Sequence, residues 1–249
     1  MTDLVAHIWR HPIKSHGREA LKRVLLTEGR TMPWDRTWAV AHDQSEADGS
    51  RWARRANFSI AAKAPALQAI SADLDEGART ITLSHPDQKS ITFRPDGDPE
   101  AFLEWVRPLM PTDRAASARI VSVPGRGMTD TDYPSISLVN LASNHAVARH
   151  LGQDLSMRRW RGNFCLDGLA PWEEFEWVGK RLRIGSATLL VRARIERCLA
   201  TAANPDTGHR DADTLGALQK GWGHTDFGVY AEVLSSGEVV LGDRIEVVL

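Results

Sequence analysis

Apolar and polar residues alternate with a period of two in Leu4-Val5-Ala6-His7-Ile8-Trp9, Thr37-Trp38-Ala39-Val40-Ala41, Arg79-Thr80-Ile81-Thr82-Leu83 and Ser90-Ile91-Thr92-Phe93. Successive side chains of a strand point to opposite faces, so the alternation predicts half-buried strands and a first half that is mainly β. A helix is predicted to open at Asp98-Pro99-Glu100, with Asp98 as cap and Pro99 at the first helical position, and to end at Pro108 and Pro111. Thr112 to Asp132 holds Pro124-Gly125-Arg126-Gly127 and shows little periodicity, which reads as a linker. Beyond it, Leu141 to Leu151 has helical spacing, with Asn140 or Ser143 as cap and Gly152 as a left-handed stop. Asn163 to Leu166, Phe175 to Ile184, Ala187 to Ile195, Val229 to Leu234 and Arg244 to Val248 read as strands, and Thr214 to Lys220 as a short helix.

Many short strands with few helices predict a mainly β (α+β) chain, since curling a sheet into a barrel removes exposed edges. The linker divides it into two lobes, an amino-terminal β-barrel-like unit at 1–112 and a second β-barrel at 113–249, and 249 residues are enough for a substantial core. With 31 basic and 32 acidic residues the net charge is -1, so no field draws in nucleic acid or an anionic membrane. No apolar run approaches the roughly 20 residues that span a bilayer. The first segment carries Asp3, His7 and Arg10, unlike a secretory signal, and two cysteines cannot form a disulfide framework. A cytoplasmic protein is expected. Nine tryptophans suit core packing or the wall of a flat heterocycle.

The chemistry centres on Cys198. Arg194-Ile195-Glu196-Arg197-Cys198 leads from a strand into the turn Asn204-Pro205-Asp206-Thr207-Gly208. A soft metal takes a cysteine as thiolate, and neighbouring guanidiniums favour the anion; the bland alternative is a buried cysteine acting as a small apolar residue. Lys14-Ser15 follows a strand and Pro12, where ammonium, hydroxyl and backbone N–H groups can converge on a phosphate; a solvated lysine is the alternative. Arg36 either joins that anion site or pairs with Asp35. The run Arg158-Arg159-Trp160-Arg161 is either a surface patch or turns an arginine inward. No glycine-rich phosphate loop, Cys-x-x-Cys or Gly-x-Ser-x-Gly motif occurs, and the histidine pairs His7/His11 and His145/His150 lack a third ligand at zinc-like spacing.

Four pieces fall in one order: Arg10-His11-Pro12-Ile13-Lys14-Ser15, Trp34-Asp35-Arg36, Cys-x5-Asn-Pro-Asp-Thr-Gly from Cys198, and Asp226-Phe227-Gly228-Val229-Tyr230 with Gly242-Asp243. Together they resemble the MOSC superfamily with its amino-terminal β-barrel domain, and within it the amidoxime-reducing components, which carry molybdenum cofactor. The resemblance implies that Cys198 ligates molybdenum, that Lys14, Ser15 and Arg36 surround the phosphate and pterin, and that Arg161 and Asn163 reach the cofactor. Arg197, Asn140 and Ser143 join this set. The chain departs from the pattern at Gly162, where relatives often have proline, and at Glu196, where they often have serine. A carboxylate beside a thiolate is repelled, so Glu196 is expected to point away or pair with Arg194 or Arg197.

The resemblance implies an oxidoreductase that reduces N-hydroxylated compounds such as amidoximes and hydroxylamines. With no further cysteines for an iron–sulfur cluster, electrons are expected from a separate ferredoxin-type or flavin reductase partner. Two other readings stay open: a non-catalytic carrier of the cofactor or of sulfur on Cys198, and a hydrolase pairing Cys198 with His209 or His224.

Overall fold

The computed structural model describes residues 3–97 and 99–248. In chain order it holds β1 (Leu4–Arg10), β2 (Glu19–Leu21), β3 (Arg23–Leu26), β4 (Trp38–His42), β5 (Ser71–Asp75), β6 (Thr80–His85), β7 (Gln88–Phe93) and α1 (Glu100–Val106). There follow β8 (Ser117–Ser122), β9 (Ile136–Asn140), α2 (Leu141–Leu151), β10 (Phe164–Asp167), β11 (Arg181–Ile184), β12 (Ala187–Glu196), α3 (Thr214–Trp222), β13 (Asp226–Ser235), β14 (Gly237–Val240) and β15 (Ile245–Val248). The chain is mainly β, in two lobes.

The larger lobe is built on an eight-stranded sheet in the order β15-β11-β12-β13-β9-β10-β1-β2, with β9 and β10 parallel and the other neighbours antiparallel. Val5, Leu138, Phe164, Leu189 and Val229 belong to its fully buried core. Helices α2 and α3 cover a second cluster, in which the rings of Trp160 and Phe227 stack 3.7 Å apart. The smaller lobe packs β4–β8 and the meander β5-β6-β7 around Trp38, Leu67, Leu83 and Phe102. Strand pairing crosses position 112 repeatedly. The first two strands join the large sheet, β3 pairs with β14, and β8 returns to pair with β4.

Several expectations need correction. The linker contains β8, whose register on β4 runs from Trp38 opposite Ser122 to His42 opposite Ser117; the stretches on either side of it, 112–116 and 123–132, carry no further strand or helix. Phe175 to Trp177 is part of a 3-10 turn, Glu173–Trp177, and the strand begins at Arg181. Asp98, the expected cap of α1, lies outside the described residues; Pro99 immediately precedes the helix. Asn140 rather than Ser143 caps α2, its side chain accepting from Ala142 N at 2.9 Å, and Gly152 closes that helix at φ 68°.

Candidate functional site

A cleft with a cavity of about 120 Å³ opens between the lobes, and Lys14, Ser15, Arg36, Arg161, Asn163, Arg197 and Cys198 all line it. The site is assembled from the turn after β1, the approach to β4, the approach to β10 and the end of β12.

Three of these residues have left-handed backbone without being glycine: Ser15 at φ 64°, Arg36 at 52° and Arg161 at 49°. Tertiary backbone bonds hold the Arg36 turn in place. Arg36 N donates to His11 O at 2.6 Å, and Arg36 O accepts from Met128 N at 2.7 Å. Trp38 N donates to Pro12 O at 3.2 Å, and Lys14 N donates to Trp38 O at 2.8 Å, so the Lys14 turn and the Arg36 turn are stitched together. Asp35 stands behind them with its side chain fully buried, accepting from His11 N at 2.8 Å and from the Arg36 guanidinium. Burial opposes that carboxylate, but Arg36 and His11 hold it well below the usual range.

The cations of the cleft fall into two sets. Lys14 Nζ donates to Met128 O at 2.8 Å and Asp130 Oδ1 at 2.5 Å, Arg36 pairs with Asp35, and Arg159 pairs with Asp211 at 2.6 Å. Burial lowers the Lys14 ammonium and would raise the Asp130 carboxyl, which Lys14 instead draws down to about 2. Arg161 and Arg197 have only uncharged partners. Arg161 donates to Gly17 O at 3.1 Å, and Arg197 to Trp160 O at 2.7 Å and to Phe227 O. Burial and neighbouring cations lower Arg161 to about 9; burial lowers Arg197 to about 10 despite the partly offsetting Tyr230, Cys198 and Asp130. Enclosed cations without a counter-charge are costly, and an anion in the cleft relieves that cost. The buried Nε of Arg159 also has no partner.

Cys198 follows β12 and precedes the 3-10 turn Leu199–Ala202, half-buried in the cleft wall. Its carbonyl accepts from Thr201 N at 3.2 Å and Thr201 Oγ1 at 3.1 Å, which fixes the backbone of this cleft-lining residue. The Asn204 turn braces this segment: Asp206 N donates to Asn204 Oδ1 at 2.8 Å and Gly208 takes φ 74°. A Cβ on Gly208 would sit 2.7 Å from Ala66 Cα, so the turn docks directly on the smaller lobe. Gln68, fully buried, links the walls by donating to Arg159 O and Ala200 O at 3.1 Å each.

Not every expected residue serves the cleft in the same way. Asn140 and Ser143 do not line it; they hold the buried Glu174 through bonds from Asn140 Nδ2 at 2.7 Å and Ser143 Oγ at 3.1 Å. The α2 amino terminus carries its own cap, and its first-turn side chains bond Glu174 rather than the cleft. Asn163 lines the wall, but its amide is engaged: Oδ1 accepts from Ser137 N and Oγ, and Nδ2 donates to Trp9 O at 3.2 Å. Glu196 also lines the cleft rather than pointing away, and it pairs with neither Arg194 nor Arg197, because Arg194 lies over the Phe175 ring and Arg197 turns inward. Cys165 is fully buried, its thiol pushed up to about 12 by burial and Asp167. His209 and His224 do not line the cleft with Cys198. Residues that sequence reasoning missed are Asp130, Arg55, Arg159 and Tyr230, whose phenol is raised by burial and Asp130. Tyr230 sat within a quoted motif, and Arg159 in the same run as Arg161; Asp130 and Arg55 carried no local signal.

A profile of the MOSC N-terminal β-barrel domain matches residues 2–105, and a profile of the MOSC domain matches residues 128–246. The chain belongs to the MOSC superfamily. Within it, two curated proteins named molybdenum cofactor sulfurase, from Drosophila grimshawi and Drosophila mojavensis, are 33% and 32% identical over 130 residues. Those matches cover 47% and 49% of this MOSC chain, which spans only 17% and 16% of the relatives. The YuaD protein of Bacillus subtilis shares the fold, with a TM-score of 0.50 over 99% of this chain and 96% of that one at 15% identity.

Proposed function

We propose that this MOSC protein is a molybdenum-cofactor-dependent oxidoreductase that removes oxygen from N-hydroxylated compounds such as amidoximes and hydroxylamines. The observation that carries the reading is convergence: Lys14, Ser15, Arg36, Arg161 and Cys198, spread over most of the chain, line one cleft. The residues fit the group. A phosphate-bearing pterin suits the uncompensated guanidiniums of Arg161 and Arg197 and the unpartnered Nε of Arg159, and a half-buried sulfur suits a soft metal. Similarity to proteins named molybdenum cofactor sulfurase supports the cofactor class.

When bound, the cofactor would supply two-electron reduction chemistry. The chain's own residues bind and orient. Arg161, which has no carboxylate partner, turns its guanidinium to an anion and Ser15 adds a hydroxyl, while Arg36, held by Asp35 and the Arg161 carbonyl, and Lys14, held between Met128 O and Asp130, supply positive charge from the wall. Tyr230 keeps its proton at neutral pH, so its Oη is a hydrogen-bond donor within the cleft. Trp160, stacked on Phe227, gives a flat wall. Electrons come from a separate ferredoxin-type or flavin reductase partner in this reading, and a reducing cytoplasm keeps Cys198 out of disulfides.

Replacing the ligand sulfur tests the assignment. Cys198→Ser is expected to keep its circular dichroism and melting behaviour while losing benzamidoxime reduction with dithionite-reduced viologen by at least about a hundredfold, the scale on which removing a key active-site group acts. Parent-level turnover in the variant overturns the role of Cys198.

The word sulfurase in the relatives' names favours a second reading, a carrier that holds cofactor or sulfur on Cys198 without turnover. Metal and pterin analysis with reductase assays on one preparation separates the two: a carrier shows exchangeable cofactor and no catalysis.

A further inference from the structure

Two charged side chains in the cleft lie outside the grip described above. Arg55 comes from the 3-10 turn Arg55–Asn57 of the smaller lobe, and Glu196 is the last residue of β12, two before Cys198. Both line the cleft, both are exposed, and among the described residues neither forms an ion pair, with each other or with any other group. The remaining cations are engaged: Lys14 with Asp130, Arg36 with Asp35, Arg159 with Asp211, and Arg161 and Arg197 with main-chain carbonyls. Among the described residues Arg55 is therefore the cleft guanidinium with neither a hydrogen-bond nor an ion-pair partner, its charge felt at a distance by Asp130, which is already bonded to Lys14. The cleft lining also includes the apolar Ile60, Ala61 and Ala62, which follow Arg55 in the chain, and Ala200, just past Cys198.

We infer that the open part of the cleft selects small carboxylate-bearing substrates, the Arg55 guanidinium taking the carboxylate and Glu196 keeping that end away from the sulfur of Cys198. A guanidinium fork matches a carboxylate in a bidentate manner. A carboxylate two residues from the thiol repels an anionic group and admits a neutral or N–H-bearing end, which gives specificity by rejection as well as attraction. Ile60, Ala61, Ala62 and Ala200 provide the surface against which a hydrocarbon body packs. As a substrate site the proposal rests on the reductase reading; as a carboxylate site it is separable from it.

Benzoate is the probe, with binding to the cofactor-loaded protein followed by tryptophan fluorescence. Turnover is compared in parallel for benzamidoxime and its 4-carboxy derivative. The parent is expected to show a lower KM for the carboxylate compound. Arg55→Gln is expected to weaken benzoate and to shrink the KM ratio by about three- to fivefold, the range for a partly exposed charge pair, with Arg55→Lys intermediate. Glu196→Gln is expected to tighten benzoate. Equal benzoate affinity in the parent and Arg55→Gln, or a KM ratio of one in the parent, overturns the proposal. If neither compound is reduced while benzoate still depends on Arg55, the reductase reading fails and the carboxylate site stands. If both are reduced and benzoate ignores Arg55, the opposite holds.

Discussion

Ser15, Arg36 and Arg161 adopt backbone angles that glycine would take at no steric cost, and all three face the cleft. Left-handed geometry costs a residue with a Cβ roughly 1–2 kcal/mol, so it persists where surrounding contacts impose it and the side chain is wanted there. Gly162, next to Arg161, is the reverse case: a Cβ would lie 2.5 Å from Cγ2 of the buried Val139. Gly162→Ala is expected to lower stability by about 1–3 kcal/mol through overpacking, measured by urea unfolding. Val139→Ala in the same chain is expected to recover part of that loss, and additive effects of the two changes would refute the contact. Cys198, Lys14, Ser15, Arg36 and Arg161 were legible because motif and chain order marked them. Asp130 and Arg55 were not, since nothing local distinguishes an aspartate in a loop or one arginine of Arg54-Arg55 from its solvated neighbours.

At the scale of elements, period-two alternation located β1, β4, β6 and β7, which contribute buried residues to the cores. It missed β8 because turn residues around Pro124 masked a six-residue strand ahead of them. It also extended a strand through Phe175, where the short 3-10 turn Glu173–Trp177 places buried Glu174 under α2. Asn140 links these pieces by capping α2 and donating to Glu174. Asn140→Ala is expected to remove a cap and leave a buried carboxylate short of a donor, costing about 2–4 kcal/mol. Guanidinium unfolding checks this. A loss below about 0.5 kcal/mol, typical of unconnected surface changes, would mean that the network contributes nothing.

For the whole molecule, the cleft exists because the lobes share strands and buried ties, and two buried histidines lie close behind it. His11 and His16 are fully buried; burial and the Arg161 and Arg36 charges lower His11 to about 3, and burial, partly offset by the Lys14 carbonyl, lowers His16 to about 4. Unfolded, each imidazole binds a proton near pH 6.5; folded, each stays neutral, so acid favours the unfolded chain. Stability is expected to be level above about pH 7 and to fall as pH drops from 6.5 towards 4, approaching about 2.7 kcal/mol per pH unit when both sites act. The depressed Asp130 contributes its loss only below about pH 4. His16→Gln is expected to flatten the slope by about one proton; an unchanged slope in urea unfolding at pH 5 to 6.5 would exclude His16 from the effect.

The sequence by itself determined the mainly β class, the two matched domains, the thiol at the end of a strand and most of the cationic residues, because alternation, turn chemistry and motif spacing are local properties. Only the tertiary structure decided which of these meet. A cleft forms where β1, the approach to β4, the end of β12 and the approach to β10 come together, and whether an arginine there is matched by a carboxylate depends on residues far away in the chain, as Lys14 depends on Asp130. Charge compensation acts through space, over a few ångströms, and carries no periodicity along the chain. For that reason the unpartnered guanidinium of Arg55, the unpaired Glu196 and the diversion of Asn140 and Ser143 to Glu174 became visible only once the fold had brought their neighbours together.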